Sequence, residues 1–197
     1  MQLDVVNIGK HYNNQWLFKD ISFSIKDGES IAITGRNGSG KSTLIQIIYG
    51  LVQANVGKVL VDQNTVDNNQ QVFALSSPYL ELPLDFTLSE IYQLYFDLNK
   101  LKIELNEFLS FSEFTFKQSN LPVKNFSSGM LQRLKTSLCL ASNSPILLLD
   151  EPLTNMDSHG EEWYKNCLNS IMSDKIVLIA SNNPIEYQNT TSKFEIL

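Results

Sequence analysis

The sequence predicts an α/β fold, a mainly parallel sheet carrying an N-terminal antiparallel β subdomain and an inserted α-helical subdomain. Three observations lead there. The segments "SIAITG", "PILLLDEP" and "KIVLIASN" contain strands that are short and apolar throughout, as strands buried on both faces are. Amphipathic helical patterns alternate with these strands, which is the order of a parallel α/β core. Between about residues 79 and 143, helical spacing takes over with no strand in between, through "TLSEIYQLYFDL", "ELNEFLSFSEF" and "SSGMLQRLKTSLCLA".

Taken in order, "LDVVNI" and "LFKDISFSI" alternate apolar and polar residues and predict antiparallel strands, with a turn at Asp27-Gly28. "SIAITG" is the first buried parallel strand, and the helix "KSTLIQIIYGL" follows it. "KVLVD" and "QVFALS" read as further strands, and "QNTVDNNQQ" as the polar surface loop between them. After the helical block come the strand in "PILLLDEP", the helix "SHGEEWYKNCLNSIM", the strand in "KIVLIASN", a turn at Asn183-Pro184 and a last short strand, "KFEIL". The reading is a single domain over residues 1-197 with residues 79-143 as its helical subdomain.

Composition narrows the function classes. A chain of 197 residues is long enough to bury a proper core. Its net charge of -6 leaves no basic stripe for a phosphate backbone, so nucleic acid is not expected as a partner. No apolar run reaches the roughly 18 residues a membrane helix needs, and Asp4 stands where a signal peptide would be basic, so a cytoplasmic protein is expected. Cys139 and Cys167 each sit alone in apolar helical patterns and are expected as reduced core residues.

The segment "GRNGSGKST" fits G-x-x-x-x-G-K-[ST] between a buried strand and a helix, the setting a phosphate-binding loop requires. Its residues Gly35, Arg36, Asn37, Gly38, Ser39, Gly40, Lys41, Ser42 and Thr43 are the expected nucleotide contacts. Glycines let the backbone N–H groups converge on phosphate oxygens, and the helix N-terminus adds partial positive charge. Lys41 is expected on the β- and γ-phosphates of ATP, and the Ser42 hydroxyl on Mg²⁺. In "ILLLDEP", Asp150 and Glu151 stand at the C-terminal end of a buried strand, where ligands of open α/β sheets bind. Adjacent residues there point in opposite directions. Asp150 is expected on the metal side and Glu151 as general base for an attacking water.

These two motifs, with "FSSGMLQRL" ahead of the second, resemble the ATP-binding cassette (ABC) ATPases over essentially the whole chain and in the family's order. The resemblance implies a P-loop NTPase core and an ATP-binding subunit of a transporter. It implies a head-to-tail dimer of cassettes, homo- or heteromeric, that encloses two ATP molecules. Tyr12 falls where the family stacks an aromatic on adenine. "FSSGM" resembles the signature loop L-S-G-G-Q, so Ser127, Ser128 and Gly129 would contact the γ-phosphate held by the other cassette; the same residues also suit the start of a helix. "PLTNMD" resembles the D-loop, making Asp157 either a contact across the dimer or a cap for the next helix.

Three segments depart from the family's pattern. Ser128 and Met130 replace a glycine and the glutamine of the signature loop. Ser77 or Pro78 stands where the family has a metal-binding glutamine, with Gln70 and Gln71 lying upstream at the start of the strand. Asn182 occupies the place of the histidine that contacts the γ-phosphate, and neither His11 nor His159 falls there. Asparagine donates a hydrogen bond but carries no charge near neutral pH, so a slow ATPase is expected. The family's transporter subunits dock on an integral-membrane permease, which places the chain at the cytoplasmic face of the inner membrane. Tyr79, Leu80, Leu82, Leu84 and Phe86 fall where docking would occur, most of them expected in the local core. Size and signature variant are similar to compact haem-exporter-type subunits. A soluble ABC ATPase of an assembly machine and a non-hydrolysing ATP-binding module are the alternatives.

Overall fold

A computed structural model describes residues 1–65, 72–98, 100–101 and 103–197. Gln70 and Gln71 lie outside them. In chain order the elements begin with β1 (Gln2–Tyr12), β2 (Gln15–Lys26), β3 (Ser30–Gly35), α1 (Lys41–Tyr49), β4 (Val56–Val61), β5 (Asn64–Thr65) and β6 (Phe73–Ser76). The helical block holds α2 (Leu88–Asp97), α3 (Leu105–Ser112), α4 (Phe116–Ser119) and α5 (Ser128–Leu140). Then follow β7 (Ile146–Asp150), α6 (Ser158–Ile171), β8 (Ile176–Ala180), α7 (Pro184–Tyr187) and β9 (Ser192–Ile196).

Two sheets result. One is five-stranded and parallel, in the order β6-β7-β8-β3-β9; the other is four-stranded and antiparallel, in the order β2-β1-β4-β5. The period of two along each parallel strand decides what each face meets. Ile146, Leu148, Ile176 and Leu178 face one core, shared with Leu44, Ile45 and Ile48 of α1 and with Leu3, Val5 and Ile21 of the antiparallel sheet. Leu147, Leu149, Val177 and Ile179 face the other, against Trp163, Tyr164 and Leu168 of α6. Helix α1 is thereby clamped between the two sheets, which fixes the loop at its N-terminus.

The helical block buries a cluster of its own around Leu88, Ile91, Phe108, Phe114 and Phe126. Helix α5 belongs to two cores at once: Leu134 and Leu138 join that cluster, while Cys139 and Leu140 pack behind the parallel sheet. Thr87 starts α2 through a reciprocal capping box with Glu90.

Several expectations change here. Asn183-Pro184 is not a bare turn: Asn183 Oδ1 accepts from Ile185 N at 3.1 Å and caps α7, whose first residue is Pro184. The segment from Tyr79 to Phe86 is mostly outside the core. Only Leu82 is buried, Leu80 is half-buried, and Tyr79 (76% exposed), Leu84 and Phe86 are exposed. Both cysteines are free and buried, as expected; burial pushes Cys139 up to about 12 and Cys167 up to about 11, leaving both as inert thiols at neutral pH.

Candidate nucleotide and metal site

The strands β3, β7 and β8 end side by side, and the predicted residues sit on those ends. The chain leaves β3 at Gly35, turns with Ser39 N donating to Arg36 O at 3.0 Å, and enters α1 through Gly40. Gly40 has φ +100, and a Cβ there would meet Phe18 at 2.6 Å, so this position takes glycine both for its backbone and for its close approach to β2. Lys41, 6% exposed, folds its ammonium back onto the loop and donates to Gly35 O at 3.0 Å and Arg36 O at 3.3 Å. Ser39 Oγ is buried in the same loop with no hydrogen-bond partner, a polar atom that a phosphate oxygen would satisfy.

Asp150 is the centre of a second set of bonds. Its carboxylate, 1% exposed, accepts from Ser42 Oγ at 2.9 Å through Oδ1 and from Ser77 Oγ at 3.1 Å through Oδ2. Burial pushes this carboxyl up, against the two hydroxyls and the Lys41 charge, with Glu151 adding to the rise. The two hydroxyls and the acid make a hard oxygen set that fits Mg²⁺, which takes few protein ligands and completes its shell with phosphate and water. Ser77 is the residue that sequence reasoning left undecided against Pro78; no spacing rule singles out a serine that finds its partner across 73 positions.

Glu151 points the other way. It is exposed, its N–H donates to Ala180 O at 2.9 Å, and its φ of +45 lies in the left-handed region where a glutamate rarely sits. Such local strain gathers at functional positions. Asn182, just past β8, donates from Nδ2 to Asn37 Oδ1 at 2.7 Å, which brings the segment after β8 onto the phosphate loop. Tyr12 lies at the exposed end of the β1–β2 hairpin, with the Lys10 ammonium 4.9 Å from its ring centroid.

Ser127, Ser128, Gly129 and Asp157 are not part of this cluster. They line a separate cleft of about 300 Å³, which also takes in Arg133 and His159. Ser127 Oγ accepts from Met130 N at 3.2 Å and Asp157 Oδ1 from Gly160 N at 2.9 Å, so each caps its helix as well. A Cβ on Gly129 would meet Asn155 O at 2.6 Å, which locks the start of α5 against the loop 152–157. The predicted residues thus fall into two separate groups on one chain.

Glu186, on α7, was not singled out by the sequence; an acid in a short polar segment gives no signal. Its carboxyl is 4% exposed, Oε1 accepts from Leu153 N at 3.0 Å, and Oε2 is buried without a hydrogen bond. Burial pushes it from 4.5 up to about 7. Ser181 and the Leu153 amide pull it down without Ser181 completing a bond to Oε2, and Glu151 and Asp150 push it further up. The folded protein therefore holds this proton more tightly than the unfolded chain. The cost that this group brings to folding is absent below about pH 4.5, grows as pH rises, and is complete, on the order of 3 kcal/mol, once pH has passed about 7. Glu186→Gln should flatten that slope: between about pH 5 and about pH 8 its denaturation midpoint should fall less than that of the wild type, and equal falls would refute the assignment.

A buried strand, a glycine-rich loop opening a helix, and a serine–aspartate pair at the strand ends define a P-loop nucleotide-binding α/β protein. The match to known proteins narrows this further: the ABC transporter family model matches residues 18–154, and the chain belongs to that family. It is 30% identical over 190 residues to the Nod factor export ATP-binding protein I of Rhizobium johnstonii, covering 91% of this chain and 61% of that protein. It is 33% identical over 162 residues to a teichoic acids export ATP-binding protein of Listeria innocua, covering 79% of this chain and 44% of that one. The chain thus spans less than two thirds of the length of these relatives. Among solved structures, the dimeric post-hydrolysis state of the ATP-binding cassette MJ0796 bound to ADP and Pi superposes with a TM-score of 0.87 over 98% of this chain and 94% of that one, at 22% identity, a likeness of fold.

Proposed function

We propose that the chain is the ATP-binding and hydrolysing subunit of an ABC transporter, one cassette over residues 1–197 with 79–143 as its helical subdomain. The observation that carries this is Asp150, buried and bonded to Ser42 and Ser77 beside an exposed, strained Glu151. Gly35 to Thr43 would hold the phosphates of ATP, with Lys41 and the α1 N-terminus supplying positive charge. Mg²⁺, held by Ser42 and Asp150, would offset charge on the phosphates. Glu151 would accept a proton from the attacking water, and Tyr12 would stack on adenine. The cleft lined by Ser127–Gly129 and Asp157 supports a head-to-tail dimer, with a second copy or a different cassette, in which each chain completes its partner's site.

Among the described residues no helix is long and apolar enough to cross a membrane. On this reading the transport step falls to an integral-membrane permease, with this chain at the cytoplasmic face of the membrane. A groove of about 460 Å³, lined by Tyr79, Leu80, Leu82, Leu84, Leu131 and Lys135, supports docking of an apolar helix from that partner. Phosphate release from Mg-ATP above the Glu151→Gln background tests hydrolysis. Its absence would favour the non-hydrolysing reading, which the replacement of the family's glutamine and histidine by Ser77 and Asn182 motivates.

Asn182 sets the proposed rate. It reaches the phosphate loop through Asn37, yet its amide brings one hydrogen bond and no charge. Asn182→His should raise turnover by roughly 10-fold to 100-fold, the usual weight of one transition-state donor. An unchanged rate in a phosphate-release assay would mean that Asn182 does not limit it.

A further inference from the structure

The loop 152–157 follows Glu151 and is gripped on both sides of one peptide group, the one between Pro152 and Leu153. On one side the Pro152 carbonyl accepts from Gln132 Nε2 at 3.3 Å and Thr136 Oγ1 at 3.4 Å, both on α5, the helix that Ser127 caps. On the other side the Leu153 N–H donates to Glu186 Oε1 at 3.0 Å. Glu186 is itself fixed: Tyr164 donates its hydroxyl to the Glu186 carbonyl at 3.1 Å, Asn183 caps the helix, and Asn183 N donates to Ser181 Oγ at 2.8 Å. The acid therefore ties the backbone just past Glu151 to the segment that carries Asn182. A carboxyl buried with one oxygen unbonded costs stability, which an ordinary core position would avoid with an apolar side chain.

We infer that Glu186 is a positioning residue for hydrolysis, whose Oε1 holds Leu153 and so sets the direction of Glu151 against Asn182. This rests on the ATPase reading above. Glu186 does not reach nucleotide; it acts through the loop. A displaced base costs turnover without costing affinity, because the phosphates bind to a different loop.

The experiment compares the full chain with Glu186→Met, which fills the volume but accepts no hydrogen bond, and Glu186→Gln, which keeps an oxygen for Leu153. Glu186→Met should lower kcat on the order of 10-fold to 100-fold while its Kd for a fluorescent ATP analogue stays within about 2-fold. Glu186→Gln should stay within about 3-fold of the wild type in both. Exchange of the Leu153 amide with deuterium should be slow in the wild type and in Glu186→Gln and fast in Glu186→Met. Unchanged kcat in Glu186→Met, a parallel loss of affinity, or a Glu186→Gln as slow as Glu186→Met would each overturn the inference. A wild type with no turnover would fail the ATPase reading alone; amide exchange then decides whether Glu186 holds the loop, and fast exchange in the wild type overturns it. If Glu186→Met does not fold, Glu186→Ala is read in the same way.

Discussion

Glu151→Gln is expected to lower kcat by about 10³-fold, within the range a positioned general base supplies, and to leave ATP binding intact. The strand sets up this separation of roles. Asp150, which ends the buried run of β7, turns inward to Ser42 and Ser77, while Glu151 lies past the strand with a left-handed backbone and is exposed. Glu151 Oε2 accepts from Thr154 Oγ1 at 3.4 Å, and the side chain is otherwise exposed. Glutamine keeps the shape and can still accept from Thr154, but its amide cannot take a proton from water. With ATP bound and uncleaved, the two half-sites should stay closed on each other, so the variant should elute as a dimer in Mg-ATP and as a monomer without it. Phosphate release and size-exclusion chromatography check both halves. A variant that hydrolyses ATP at the wild-type rate would remove Glu151 from the chemistry.

Where a residue type is forced by backbone or charge geometry, it was legible in advance. The phosphate loop needs glycine where φ is positive and a lysine at the helix start; those needs survive any tertiary context, and Gly40 and Lys41 meet them. The buried strands were legible because two covered faces leave no room for polar residues, as β7 and β8 confirm by being buried throughout. What stayed hidden depends on contacts distant in sequence. Ser77 and Glu186 acquire their roles from Asp150 and Leu153, and neither pairing has a spacing rule. The stretch from Tyr79 to Phe86 misled in another way: apolar residue types suggested burial, but Pro78 and Pro83 keep it irregular, and most of its large side chains stay on the surface. Residue type reports affinity for a core, and only topology says whether one is within reach. For the same reason the single-residue reading of Asp157 remained double, since capping α6 and lining the cleft are compatible.

Lys41→Ala is expected to weaken Mg-ATP binding by roughly 100-fold, which corresponds to about 2.7 kcal/mol at 25 °C. The size follows from what the ammonium does now and what it would do with ligand. In the protein alone it is nearly buried and bonded to the Gly35 and Arg36 carbonyls, which bend round it to form the loop. A charge held there meets a phosphate with most of its desolvation already completed, and because the phosphate bonds replace existing bonds to the carbonyls, their net gain together is about that of one charge-assisted hydrogen bond, about 1.5–3 kcal/mol. The same charge lowers the pKa of Asp150, so its loss raises that carboxyl further and weakens the proposed Mg²⁺ site as well. Folding should suffer much less, because alanine removes a buried ammonium together with its bonds, and the two carbonyls beside it lie at a loop open to water. Lys41→Arg should not restore binding: the planar fork is wider than an ammonium and does not fit between Gly35 O and Arg36 O. Calorimetric titration with Mg-ATP, alongside thermal melts of both variants, separates affinity from stability. Undiminished affinity in Lys41→Ala would mean that the phosphates do not bind in this loop.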